Sequence, residues 1–390
     1  MTALFRKIAL TGAIAVSGIC LAGGTAVAGP YFQTNLVSNI AGLGKITDSQ
    51  LVNPWGFSHS PTSPFWTSNQ GKNTATLYAV TGGTHVTKVN INPPSGLVQI
   101  PTTGAGPQGP TGQVNNGNAA SFLLPSGQSS RFIFANLNGT ISGWAGGPTA
   151  VVGHTTPGAV YTGLAINAAQ TRLYAANGTT GGIDIFDSSF SPVNLPNAFA
   201  TPADIDVLRL KPFNVQTING EIYVTYAPPG RANDIDAALG EGAIAVFDEN
   251  GTLLRTPVIG SNLAAPWGIT LAPDTFSQFG GDLLVGNFSF DHSEINAFDP
   301  VTGLFKGTIP IDPGAGNTAG GLWTIGFGIG GNNGKPNTLY FTDGINGERD
   351  GLFAAISVPE PWSLSIFAAA LAFAGMVRMR STRKPLAIKV

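Results

Sequence analysis

The sequence predicts an all-β fold, a six-bladed β-propeller. Three observations lead there: a repeat of about fifty-five residues, strands that alternate at period two before stopping at turn residues, and a near absence of helical periodicity. The first strand of the repeat recurs as Pro54-Trp55-Gly56-Phe57, Tyr161-Thr162-Gly163-Leu164, Pro266-Trp267-Gly268-Ile269 and Leu322-Trp323-Thr324-Ile325, with weaker members at Ala120-Ser121-Phe122-Leu123 and Phe213-Asn214-Val215. Gly56 to Gly163 is 107 residues and Gly163 to Gly268 is 105, two units each, whereas Gly268 to Gly326 is 58.

A second strand follows each first one, as in Glu221-Ile222-Tyr223-Val224 and Thr338-Leu339-Tyr340-Phe341. The third strands are clearest: Ile183-Asp184-Ile185-Phe186-Asp187, Ala243-Ile244-Ala245-Val246-Phe247-Asp248 and Glu294-Ile295-Asn296-Ala297-Phe298-Asp299 alternate and then stop at Asp. Turns such as Asp248-Glu249-Asn250-Gly251 return the chain into an outer fourth strand, residues 252–256 or 304–308. Four antiparallel strands per unit make a propeller blade. A ring must be tied shut, so residues 31–37 are expected to give the sixth blade its outer strand, because that blade's own sequence runs out at Ile356.

The two ends read as an address. Arg6 and Lys7 precede an apolar run over residues 8–21, and Ala26-Val27-Ala28 is the pattern a signal peptidase reads, so residues 1–28 are expected to be a signal peptide. Cys20, the one cysteine, lies inside it; a lipoprotein reading would need a small residue where Ile19 stands. Without Cys20 the mature chain has no thiol for a disulfide, a metal or a nucleophile. At the other end, Val358-Pro359-Glu360-Pro361 precedes a largely apolar stretch, residues 362–377, and a tail, residues 378–390, carrying Arg378, Arg380, Arg383 and Lys384. As a helix the stretch spans about 24 Å against a bilayer core of ~30 Å. The basic tail stays on the cytoplasmic side, leaving everything before Pro359 outside.

The intervening body, residues 29–357, is the expected propeller domain. Residues 29–358 hold 12 Lys+Arg and 20 Asp+Glu, a net charge of -8 against -2 for the full chain. An acidic body without a basic cluster argues against nucleic acid and against anionic lipid, so membrane contact is expected only through the C-terminal helix. The 53 glycines and 28 prolines accompany plentiful aliphatic and aromatic residues, which fits frequent turns rather than disorder.

The short motif, apolar helix and basic stop resemble a PEP-CTERM sorting signal. That resemblance implies recognition near Pro359, Glu360 and Pro361 by an exosortase-type membrane protease in a Gram-negative host that makes extracellular polysaccharide. It further implies transient anchoring in the inner membrane before display at the cell surface or in the matrix. An ordinary C-terminal anchor is the alternative. In the body, the Pro-x-Gly-Ile/Phe starts and Leu-Tyr second strands resemble NHL-type propellers. Asn53-Pro54-Trp55-Gly56, Leu283-Leu284-Val285-Gly286-Asn287-Phe288, Ile295-Asn296-Ala297-Phe298-Asp299-Pro300 and Leu339-Tyr340-Phe341-Thr342 are similar to a family of uncharacterised secreted bacterial proteins with this fold. The resemblance covers most of residues 31–357 and implies no activity.

The chemistry is sparse. His59, His85, His154 and His292 show no zinc-ligand spacing, and there is no G-x-S-x-G, S-x-x-K or phosphate-cradling loop. Asn69, Asn136, Asn177, Asn287 and Asp343 end second strands in five units, either as a ring of ligands facing one channel mouth or as turn formers bonding their own backbone. Trp55, Trp267 and Trp323 share one first-strand position, either as a carbohydrate-stacking surface or as core. Asn233, Asp234, Asp236 and Glu241, in the insertion of residues 231–242, are candidate Ca²⁺ ligands that lack the D-x-[DN]-x-[DN]-G spacing.

The expected role is binding, with polysaccharide as the candidate partner. A metal-dependent lactonase- or lyase-type propeller enzyme and a purely structural matrix scaffold are the alternatives.

Overall fold

The turns are encoded where the sequence places Asp. Asp248 Oδ1 accepts the amides of Asn250 (2.9 Å) and Thr252 (2.8 Å), and Gly251 at φ 81° completes the reversal. Asp299 repeats this with Val301 and Thr302, and Gly303 is needed twice over. Its φ is 70°, and a Cβ there would collide with the Pro257 carbonyl of the preceding blade.

A computed structural model of the chain describes residues 31–104 and 108–358; the expected signal peptide and the sorting signal from Pro359 onward lie outside the described residues. These residues build six antiparallel sheets in chain order. Blade 1 is Pro54–Ser58, Phe65–Asn69, Thr74–Thr81 and His85–Lys88. Blade 2 is Gln113–Asn115, Phe132–Ala135, Thr140–Trp144 and Val151–Thr155. Blade 3 is Tyr161–Ile166, Arg172–Asn177, Gly182–Asp187 and the two-residue outer strand Pro192–Val193. Blade 4 is Lys211–Ile218, Glu221–Ala227, Ala243–Phe247 and Leu253–Ile259. Blade 5 is Pro266–Leu271, Leu283–Asn287, Glu294–Phe298 and Phe305–Pro310. Each inner strand packs on the next, and Leu322–Phe327 of the sixth returns to Pro54–Ser58 of the first. The molecule is a six-bladed β-propeller.

Blade 6 closes the ring. To Leu322–Phe327, Thr338–Asp343 and Leu352–Ser357 it adds Phe32–Ser38 from the start of the described chain, antiparallel from Phe32↔Ser357 to Ser38↔Leu352. Ile46–Thr47 then pairs in parallel with its outer side.

Period-two alternation makes each strand serve two neighbours. Ala245 packs toward blade 3, whereas Ile244 and Val246 pack toward blade 5. The buried apolar residues therefore form six clusters between adjacent blades and a seventh on the axis.

One first strand lies elsewhere than expected. In blade 2 it is Gln113–Asn115, not the segment around Phe122, because Gln113 anchors it by donating Nε2 to the carbonyls of Gly56 and Trp66, both 2.9 Å away. Phe122, at φ 54° in a turn, fills the space between blades 2 and 3 against Phe190. Helix is confined among the described residues to single turns such as Ala203–Asp206 and Arg231–Ile235, while Ile345–Glu348 is an irregular turn with Asn346, Gly347 and Glu348 at positive φ. None is long and apolar enough to cross a membrane.

Candidate ligand site at the channel mouth

The first strands all start at one end of the axis, so Trp55, Trp267 and Trp323 converge there. Trp55 and Trp323 stack with centroids 3.6 Å apart and planes at 20°, and Trp267 meets both edge-on. With Phe213 and Phe288 they fill the channel. Trp323 Nε1 donates to Asn53 Oδ1 (2.9 Å) and Trp267 Nε1 to the Thr162 carbonyl across the axis (3.0 Å). Trp55 Nε1 is buried without a partner among the described residues. The indole faces are thus largely occupied by one another.

This plug separates two cavities. On the far side lies one of about 380 Å³, bordered by Gln113, Asn214, Thr217 and Thr324. These side chains already tie blades together: Asn214 Nδ2 donates to the Trp267 carbonyl (2.8 Å) and Thr324 Oγ1 to that of Trp55 (2.9 Å).

On the near side a cavity of about 440 Å³ draws its walls from blades 1, 2, 3, 4 and 6. Leu137, Val160, Phe213, Pro228 and Pro229 give it apolar surface; Lys211, Arg231, Asp234 and Glu348 give it charge.

Arg231 is the keystone of this mouth. Its guanidinium lies 4.4 Å from the Phe288 ring centroid, 5.7 Å from Trp323 and 6.0 Å from Trp55, and it pairs with Glu348, joining a blade 4 loop to a blade 6 loop. Burial lowers its pKa to about 10, with nearby Asp234 opposing the shift. Burial pushes the Asp234 carboxyl up to about 7 against the pull of Arg231. Glu348 stands at φ 63° and Asn53 at φ 44°.

The structure distributes the remaining candidates. Asn69 Nδ2 donates to Thr74 and Thr76, Asn136 Nδ2 to Thr140, Asn177 Nδ2 to Asp184, and Asn287 Nδ2 to the Asn262 carbonyl. All four are buried and serve blade closure; none borders the near cavity. Asp343, their counterpart in blade 6, is fully buried with neither carboxyl oxygen partnered among the described residues, and burial drives its pKa well above the carboxylate range.

Asn233, Asp234, Asp236 and Glu241 do not converge as a calcium site. The single helical turn Arg231–Ile235 points Asp234 inward, while Asn233 Nδ2 bonds the Pro229 carbonyl, Asp236 is exposed and Glu241 receives the Ala238 amide. Among the described residues no three His, Cys, Asp or Glu side chains gather as a metal site. Of the histidines, His59 packs edge-on to Phe65 with its pKa lowered by burial, and His154 packs on Phe186.

No family model matches the chain. It is 27% identical over 333 residues to uncharacterized protein R648 of Acanthamoeba polyphaga mimivirus, covering 82% of this chain and 78% of that protein. To uncharacterized protein L690 of the same virus it is 27% identical over 281 residues, covering 68% of this chain and 70% of that one. Among solved structures it is similar to a streptogramin B lyase, with a TM-score of 0.48 at 12% identity over 85% of this chain and 98% of that one. It is also similar to the WD40 domain of Neurospora crassa Pan2, with a TM-score of 0.45 at 9% identity over 84% and 96% of the two chains.

Proposed function

We propose that this chain is an exported binding protein whose ligand sits at the near mouth of the propeller channel and whose partner is extracellular polysaccharide. The near cavity carries the reading: one concave, largely apolar site with a few convergent polar groups, built from five of six blades. Its size falls within the ~300–1,000 Å³ typical of small-ligand pockets. Export and display follow from the ends of the chain. The signal peptide ends at Ala28, an exosortase-type protease acts near Pro359, Glu360 and Pro361, and the body reaches the cell surface or matrix.

Residues 29–357 contain every strand found among the described residues, so that segment is the one to array against glycans. Binding to a defined set of polysaccharides is expected. A body that binds none would leave the scaffold role in its place.

A further inference from the structure

Three of the four charged groups around the near cavity, Lys211, Arg231 and Glu348, are matched from within the chain in ion pairs. Arg231 pairs with Glu348, and Lys211 Nζ lies 3.4 Å from Asp206 Oδ1. Asp234 alone of the four stands outside an ion pair among the described residues. It is 7% exposed and borders the cavity, and its carboxyl receives no hydrogen bond from the chain among the described residues, having only the field of Arg231 for company. A largely buried carboxyl that opens only on the cavity can accept a donor from what occupies it, and Glu348 Oε1, buried without a hydrogen-bond partner among the described residues, offers a second acceptor there. The exposed residue Thr179 adds a hydroxyl to the lining, and Phe213 and Pro229 add apolar surface.

A charged ligand fits poorly. An anion would be desolvated beside Asp234 and Glu348, and a cation would meet Arg231 already seated over Phe288, with Lys211 nearby. A neutral ring bearing hydroxyls meets both demands, since it donates to a carboxyl without bringing a charge out of water and lays its C–H face on apolar walls.

We propose that the near cavity holds a neutral polyhydroxylated ring, a sugar residue or polyol, with a hydroxyl on the Asp234 carboxyl and its C–H face on Phe213 and Pro229. This rests on the binding reading above.

The test uses the full chain in a detergent without a sugar headgroup. Titration calorimetry would compare glucose, galactose, inositol and cellobiose with glucuronate and glucosamine, on the parent and on Asp234→Asn and Thr179→Trp. At least one neutral compound is expected to bind, at least tenfold more weakly to both variants, with circular dichroism unchanged. Binding of a monosaccharide assigns the site to a free ring; binding that begins with cellobiose assigns it to a chain end. Preference for glucuronate or glucosamine overturns the proposal, as does neutral binding that neither variant disturbs. A positive glycan array with either of those results leaves the binding reading standing while this assignment falls; a silent array removes both.

Discussion

Trp55 and Trp323 stack face to face at 3.6 Å on the propeller axis, so the first and last blades are joined at the channel as well as at the rim. Trp323 is fully buried, and its Nε1 holds Asn53 Oδ1. Trp323→Ala would therefore remove a large core side chain and strand a buried acceptor. A loss of about 3–5 kcal/mol is expected, measured as a lowered midpoint in urea. A loss below about 1 kcal/mol would mean that the plug collapses freely around the gap.

At the rim, Phe32–Ser38 supplies the outer strand of blade 6 and buries Leu36 and Val37. Removing residues 29–38 exposes the backbone edge of Leu352–Ser357 and opens the cluster that includes Phe353 and Tyr340. The truncated chain is expected to aggregate or to melt far below the parent by calorimetry. A soluble truncation with an unchanged melting temperature would show that closure does not depend on this strand.

Processing is checked by mass. The apolar stretch of residues 362–377 is short for a permanent anchor, and the ring is complete at Ser357 without it. Protein recovered from the cell surface or medium is expected to begin at Gly29 and to lack residues 362–390. Intact mass spectrometry showing a chain that still ends at Val390 would contradict the transient-anchor reading.

Most of the fold was legible because each blade repeats a local code. Strands such as Ala243–Phe247 announce themselves by alternation, and Asp248 and Asp299 mark their ends by chemistry that acts within four residues. Blade 2 was obscured where that code is replaced by a long-range tie. Gln113–Asn115 has three residues and two amide side chains, and what holds it is the bond from Gln113 to Gly56 and Trp66, more than forty residues away. The candidate site was legible only in its tryptophans. Arg231 and Glu348 meet across 117 positions through two irregular loops, and nothing in the local pattern of either loop encodes the meeting.

Asp343 takes the place that Asn occupies in four other blades, without the amide that lets Asn287 donate to Asn262. Its carboxyl titrates well above its unfolded value of about 3.9. The folded state then binds the proton more tightly, so this group's contribution to stability is present below about pH 4 and is lost as pH rises through the folded pKa. Asp343→Asn is expected to raise the melting temperature at pH 7, with the gain shrinking toward pH 4. A lower melting temperature at pH 7 would mean that the carboxylate has a partner worth more than the burial penalty.

Asp234 obeys the same sign but with a cation beside it. Burial raises its carboxyl to about 7 although Arg231 pulls the other way. Removing that cation must move the titration further up, because only the burial term then remains. In Arg231→Met, the Asp234 carboxyl followed by NMR is expected to titrate clearly above its value in the parent. The stability tied to its proton, present below about pH 4 and lost through about pH 7 in the parent, should persist to higher pH in the variant. A midpoint that stays put or falls would show that Arg231 does not act on Asp234 through its charge.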